Sequence, residues 1–460
     1  MKKMFLDRVD EGLYALAGRA LRPWQRRALL AALTVLLSGF LFTRSFPQLE
    51  PGMGPLALTA ALFALTGLLF MLPAFGRIAR EGGDLGAYLL CAAVCGALLL
   101  ARLSMLEKMT GDYEHCLLPW YEQMQPLSFA QAMREEIGNY TMPYRYFIWL
   151  MTRVPLPPMY LYKLTTLLFE PLLAYAVMRL FELRAEKRSL GGALSAYLLT
   201  LALPTVVFNG AYWAQCDAIY TALLLLGLCE ALEERPYRAM AGFGLALAFK
   251  LQAVFLFPLL PVLWAARRVR IKHLLALPGA WLAAQLPALL GGCVPAGLIA
   301  PYVMQMDDSM ELTRNAPSIF QLFDSAEMNP WMFRNYGIAM ALVAAFGLCA
   351  LLWRCRARLT PALLTDAAFL LVLAVPYLLP HMHERYFFAA DALSVAYWAG
   401  KRGRFWAPAL TVLASFNCYL RYMQNFYSFV PMPIASLMML AVLVLAGAGL
   451  AHDLQRPRAE

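Results

Sequence analysis

Long apolar runs, each about 15 to 24 residues and separated by short basic clusters, recur along this chain and decide what it can fold into. A run of that length matches the hydrocarbon thickness of a bilayer when coiled as a helix, and it lacks the period-two alternation of an outer-membrane strand. Composition agrees: 61% of the 460 residues are hydrophobic and only 15% charged, with a mean hydropathy of +0.57. A water-exposed surface alone needs about a quarter of residues charged, so a soluble globular enzyme is excluded. The expected fold class is all-α, a polytopic helical membrane protein forming one transmembrane domain over 1–460.

Fourteen spans are predicted, at 28–43, 55–75, 85–106, 159–182, 190–208, 214–232, 238–250, 251–266, 272–291, 337–353, 361–380, 386–400, 405–423 and 434–451. The two at 238–250 and 251–266 are read as short helices meeting at a break near Lys250 and Gln252. Alternate connections hold 26 Lys and Arg on one side and 8 on the other, which places both termini in the cytoplasm. Basic pairs such as Arg26-Arg27, Lys187-Arg188, Arg267-Arg268 and Lys401-Arg402 sit at helix ends, so the net charge of +10 serves orientation and anionic lipid heads, with no nucleic acid partner expected. Residues 1–27 carry the stripe Phe5, Val9, Leu13 and Leu16 and read as a cytoplasmic amphipathic basic segment, too long for a removed leader. Nine scattered cysteines form no CxxC pair and imply no disulfide framework or zinc site.

The outer face carries two loops too long to be connectors, 107–158 and 292–336. In the first, Ser128 and Gln131 form a capping-box pattern ahead of a stripe of Phe129, Met133 and Ile137, predicting an interfacial helix. Ionisable groups at membrane depth are costly and mark candidate sites. Four outer clusters qualify. Asp112, Glu114 and His115 follow the third span, where a carboxylate serves either as general base or as a helix cap. Trp213, Asp217 and Tyr220 are spaced i, i+4 and i+7, with Gln215 beside them, which reads as one helical face or as a cap. Lys250 and Gln252 occupy the break, where a lysine either snorkels or holds a phosphate. His381, His383, Glu384 and Arg385 form the densest polar group. They suit an anion better than a metal, since no fourth ligand is implied, and a Glu384–Arg385 pair closing a helix end is the plainer alternative.

Together the segments GDYEHCLLPWY (111–121), YWAQCD (212–217), FKLQAVFLFPLL (249–260) and PHMHERYFF (380–388) resemble the bacterial relatives of the mannosyltransferase that adds the second mannose to GPI anchors, within the GT-C glycosyltransferases. The last segment is also similar to the His-x-His-Glu-basic stretch of the dolichyl-phosphate-glucose glucosyltransferases of asparagine-linked glycosylation. The resemblance implies a multi-pass enzyme of the cell membrane that transfers a hexose, mannose above others, from a polyprenyl-phosphate sugar with inversion at the outer face. Asp112 matches the acidic base of the first outer loop. No Asp-x-Asp pair stands there, only Asp112 with Glu114, so a divalent metal is not favoured and no cofactor is required beyond the lipid-linked donor.

Such a reaction needs one proton removed, the acceptor oxygen placed, and the departing phosphate stabilised. Asp112 is expected to do the first; Lys250, His381, His383 and Arg385, with Arg314 of the second outer loop, the last. Glu114, His115, Trp213, Gln215, Asp217, Gln252 and Glu384 are expected to orient the sugar or brace the base, and Asn315, Ser318 and Gln321 to close over the acceptor. The acceptor is a glycan, lipid or protein. The competing reading is a transporter or flippase of lipid-linked saccharides; against it, the unusual polar residues gather at outer span ends and no two halves repeat.

Overall fold

The computed structural model describes residues 53–185, 189–306, 311–323, 329–398, 402–423 and 427–455. The expected amphipathic segment 1–27, the first span at 28–43 and the basic residues Lys187, Arg188 and Lys401 lie outside the described residues.

Helices dominate, and many begin where the sequence supplies a start signal. Proline occupies the first turn of Pro158–Arg184, Pro204–Val207, Pro236–Phe249, Pro330–Arg354 and Pro361–Leu378, where a missing N–H costs nothing. Asp84 caps Leu85–Leu103 by accepting from Ala87 N at 2.9 Å, and Thr360 caps Pro361–Leu378 by accepting from Leu363 N at 3.3 Å. Helical segments lie at every expected span position within the described residues. Among the described residues, six helices are long and apolar enough to cross a membrane: Leu85–Leu103, Pro158–Arg184, Ile271–Leu290, Trp331–Arg354, Pro361–Leu378 and Met432–Gln455. A seventh crossing arises if Leu190–Ala202 and Pro204–Tyr212, bent by 50°, count as one. The remaining segments are shorter, so the helices alone establish a helical membrane protein and not the number fourteen.

Pro158–Arg184 is the central post. It packs against Met53–Arg80, Leu190–Ala202, Asp217–Leu232 and Phe388–Trp398, which explains why it is apolar all round and mostly buried. By contrast, Trp331–Arg354 exposes Trp331, Tyr336, Val343 and Phe346, the pattern of a helix whose outer surface meets lipid. Among the described residues, sheet is confined to a two-residue parallel ladder between β1 (Thr313–Arg314) and β2 (Met382–His383). This ladder ties the loop at 311–323 to the His383 segment.

Charge pairs join the helices, among them Arg77–Glu182, Arg179–Glu230 and the two groups that follow. In the interior, Arg102 Nε lies 2.6 Å from Glu170 Oε2, and its other nitrogens donate to Leu98 O (3.0 Å) and Leu201 O (2.6 Å). Gly210 makes room, because a Cβ there would sit 2.5 Å from Glu170 Oε1. At the far ends of helices Phe388–Trp398 and Trp406–Met423, Asp366 accepts from both Arg184 (2.8 Å) and Arg404 (2.7 Å), and Arg404 also reaches Asp453 (2.6 Å).

Two expectations are corrected. The capping box at Ser128 and Gln131 is present, but its helix ends at Arg134, short of Ile137. Arg145 takes the carbonyls of Ala132 and Glu135, leaving no ladder to extend. Trp213 and Asp217 do not share one helical face either: Asp217 opens a helix, Trp213 ends a π-helical turn, and Ala214 between them has φ 61°. The break at Lys250 is present, with that residue extended at φ −157° between a helix and a 3₁₀ turn.

Arg102→Met strands Glu170 in the interior and is expected to destabilise the fold by about 3–5 kcal/mol, whereas the double change Arg102→Met with Glu170→Met recovers most of it. Thermal unfolding in detergent reads both; equal losses in the single and double variants contradict the pairing.

Candidate active site

Two short π-helical turns build the walls of the polar cavity, and such turns displace side chains from the regular helical path. Asp112 directly precedes the turn Tyr113–Leu117, and Trp213 directly follows the turn Phe208–Tyr212. Asp112 does not cap its own turn. Its Oδ2 instead accepts from Trp213 Nε1 and Gln215 Nε2, both at 2.9 Å, and its Oδ1 accepts from Tyr422 Oη at 2.7 Å. Gln215 is itself fixed, because Tyr140 Oη donates to its Oε1 at 2.9 Å. The Tyr422 ring stacks on Trp213 with centroids 4.4 Å apart.

The cation beside Asp112 is Arg385, with Nη1 3.7 Å from Oδ2 and the guanidinium 5.4 Å from the Trp213 ring centre. Behind it lies a second carboxylate, Asp217, 1% exposed at its side chain. Asp217 takes Lys250 Nζ at 2.5 Å and Asn209 Nδ2 at 2.8 Å, and Arg385 Nε sits 4.0 Å away. Lys250 is thus spent on Asp217, and its ammonium also lies 5.9 Å from the ring centres of Tyr140 and Tyr220.

Asp112, Gln215, Arg385 and Tyr422 open onto one cavity of about 670 Å³, also lined by Trp120, Asn139, Tyr140, Glu311, Arg314, Asn315, His383 and Glu384 among others. A larger cavity of about 780 Å³ lies between Met53–Arg80, Met142–Met151 and Pro158–Arg184. Its wall, which includes Leu69, Phe147, Leu161 and Leu168, bears no Asp, Glu, His, Lys or Arg and offers volume without chemistry.

Of the residues singled out in the sequence, Asp112, Gln215, His383, Glu384, Arg385 and Arg314 line the polar cavity, and Trp213 touches it through Asp112. Asp217 and Lys250 stand one layer behind. Four stand apart. Glu114 and His115 are exposed and do not line it, and Gln252 is buried next to Tyr386. His381, at φ 61°, turns its Nδ1 to Glu311 O at 2.7 Å. In the segment 311–323, Asn315 accepts from Arg421 Nε at 2.9 Å, Ser318 is buried with its carbonyl accepting from Ser436, and Gln321 bonds Thr313. Sequence reasoning missed Tyr422, Tyr140 and Asn139; Arg421, a cation at the outer end of an apolar run, was the available signal for the first.

Burial and charge set the protonation of the 383–385 stretch. Burial pushes the Glu384 carboxyl up to about 7, against the pull of Arg385 at 3.4 Å. His383 is lowered well below its usual value by burial, then by Arg385, Arg314 and Lys250, so it is neutral and donates at most one N–H. An imidazolium at 383, as the sequence suggested, is therefore not what the surroundings favour.

No protein-family model matches the chain, and no curated protein shows significant similarity to it.

Folded Glu384 keeps a proton that the unfolded chain releases above 4.5, so its contribution to stability is full below 4.5 and is lost as pH rises through about 7. Glu384→Gln mimics the protonated acid and removes this slope. The unfolding temperature of the wild type minus that of the variant should fall from pH 5 to pH 8; a constant difference refutes the assignment.

Proposed function

We propose that this protein is an inverting glycosyltransferase of the GT-C type that moves a hexose from a polyprenyl-phosphate sugar to an acceptor hydroxyl. The observation that carries the reading is the meeting of a hydrogen-bonded carboxylate, Asp112, with Arg385 at 3.7 Å in one cavity that also presents Arg314 and neutral His383. The motif resemblance supplies the family. The reading takes fourteen spans from the apolar runs, and the charge asymmetry of the loops supports cytoplasmic termini and an outward-facing site.

In this reading the acceptor O–H attacks the anomeric carbon from the face opposite the phosphate. The bond from that carbon to the phosphate oxygen breaks, the polyprenyl phosphate leaves with the electron pair, and the hydroxyl proton passes to Asp112. A carboxylate has about four lone-pair sites. Oδ2 uses two on Trp213 and Gln215, and Oδ1 uses one on Tyr422, so Oδ1 retains the site that takes the proton. Charge grows on the phosphate as the bond breaks, and Arg385 and Arg314 are the donors that meet it, with the His383 N–H as a neutral third. Lys250 acts indirectly, holding Asp217 and through it the angle of Arg385. Trp120 gives the cavity a flat apolar face for a sugar ring, lodged against Gly138, whose φ of 66° admits the indole where a Cβ would lie 2.5 Å from it.

Purified protein offered a panel of polyprenyl-phosphate hexoses, mannose included, is expected to release polyprenyl phosphate with one of them in the presence of acceptor. Asp112→Asn should lower the rate by about 10²–10⁴ and Arg385→Gln by about 10²–10³, with the unfolding temperature largely kept. Undiminished turnover in Asp112→Asn contradicts its role as base, and vectorial movement of intact lipid-linked saccharide without release favours a flippase.

A further inference from the structure

Five carboxylates are buried among the described residues: Glu170, Asp217, Asp366, Glu384 and Asp391. Four have a protein cation, namely Arg102 at 2.6 Å, Lys250 at 2.5 Å, Arg184 at 2.8 Å and Arg385 at 3.4 Å. Asp391 differs. It is 0% exposed, belongs to the helix Phe388–Trp398, and has no ion pair and no hydrogen bond of good geometry to either carboxyl oxygen among the described residues.

What faces it is oxygen. The hydroxyls of Ser415, from the helix Trp406–Met423, and Thr205, from the short helix Pro204–Val207, lie against the carboxyl. Thr411 stands one turn before Ser415 on the same face. All three hydroxyl oxygens are buried and, like the carboxyl, make no well-formed hydrogen bond among the described residues. The three helices contact one another pairwise, which brings the carboxyl together with the Thr205 and Ser415 hydroxyls, with Thr411 one helical turn from Ser415.

A lone ionised carboxylate in such surroundings is expensive, and the cost is relieved either by a proton or by a positive charge that joins it. We infer that Asp391, Thr205, Ser415 and Thr411 form a binding site for a small monovalent cation of the sodium type. The charge count selects valence: one carboxylate balances one positive charge, and a divalent ion would leave an excess in an apolar interior. The donor set selects hardness, since carboxylate and hydroxyl oxygens suit alkali and alkaline-earth ions and offer no nitrogen or sulfur. The site is separate from the polar cavity, none of whose lining residues it shares. It lies one turn into the helix that begins just after Arg385, and it is close to Tyr419, whose hydroxyl accepts from Asn209 at 3.3 Å. An ion there would clamp the helix that follows Arg385, the short helix that leads into the turn of Asn209, and the helix that carries Tyr422.

The test is thermal unfolding of the purified protein in detergent at pH 8 and fixed ionic strength, with sodium chloride titrated against choline chloride. Sodium is expected to raise the midpoint saturably, by several degrees, because it binds the folded state alone. Asp391→Asn should abolish that response and Ser415→Ala should weaken the apparent affinity about tenfold. Identical midpoints in sodium and choline would mean that Asp391 is a neutral acid and overturn the site, as would a sodium response unchanged in Asp391→Asn. Should Asp391→Asn fail to fold, an undiminished sodium affinity in Ser415→Ala overturns it equally.

Discussion

One buried carboxylate organises the polar cavity without lining it. Asp217 receives Lys250 from the helix break, Asn209 from a π-helical turn and, at 4.0 Å, Arg385 from the turn that precedes the helix Phe388–Trp398. These groups come from four places in the chain, and only a charge sunk where water cannot screen it draws them to one point. Arg385 is then shared between Asp217 behind and Asp112 in front, so its guanidinium has one orientation rather than many. Breaking Asp217 from Lys250 would leave an uncompensated charge and release the wall of the cavity at once.

The same residues show how local strain serves placement. Ala214, Asn315 and His381 all take φ between 52° and 61°, a region that side chains other than glycine visit rarely, and all three lie in the segments surrounding the cavity. With the two π-helical turns, they bend the backbone so that Trp213, Gln215, Asn315 and His383 converge from separate segments. Stability is supplied elsewhere, by the Arg102–Glu170 pair in the interior and the Arg184–Asp366–Arg404–Asp453 group at the opposite helix ends.

How much of this the sequence revealed depended on the physical signal each part leaves. Helix positions were legible because apolar runs and proline starts record burial directly, whereas the number crossing the membrane was not, since a helix as short as Phe388–Trp398 records burial without length. Asp112, Asp217, Lys250 and Arg385 stood out as charges among apolar neighbours, and they do converge. Their division of labour was hidden: nothing in the order of residues says that Lys250 faces Asp217 and not the cavity. The helical spacing read into Trp213 and Asp217 failed because a left-handed Ala214 breaks the period. Tyr422 escaped notice because tyrosines at span ends are common, and the β1–β2 ladder because two residues carry no alternation.

An experimental structure with polyprenyl phosphate bound tests most directly whether Asp112 and Arg385 face one reaction centre. The phosphate oxygens are expected within hydrogen-bond reach of Arg385 and Arg314, with Asp112 across open space from them. Phosphate held elsewhere, or separated from Asp112 by protein, contradicts the account.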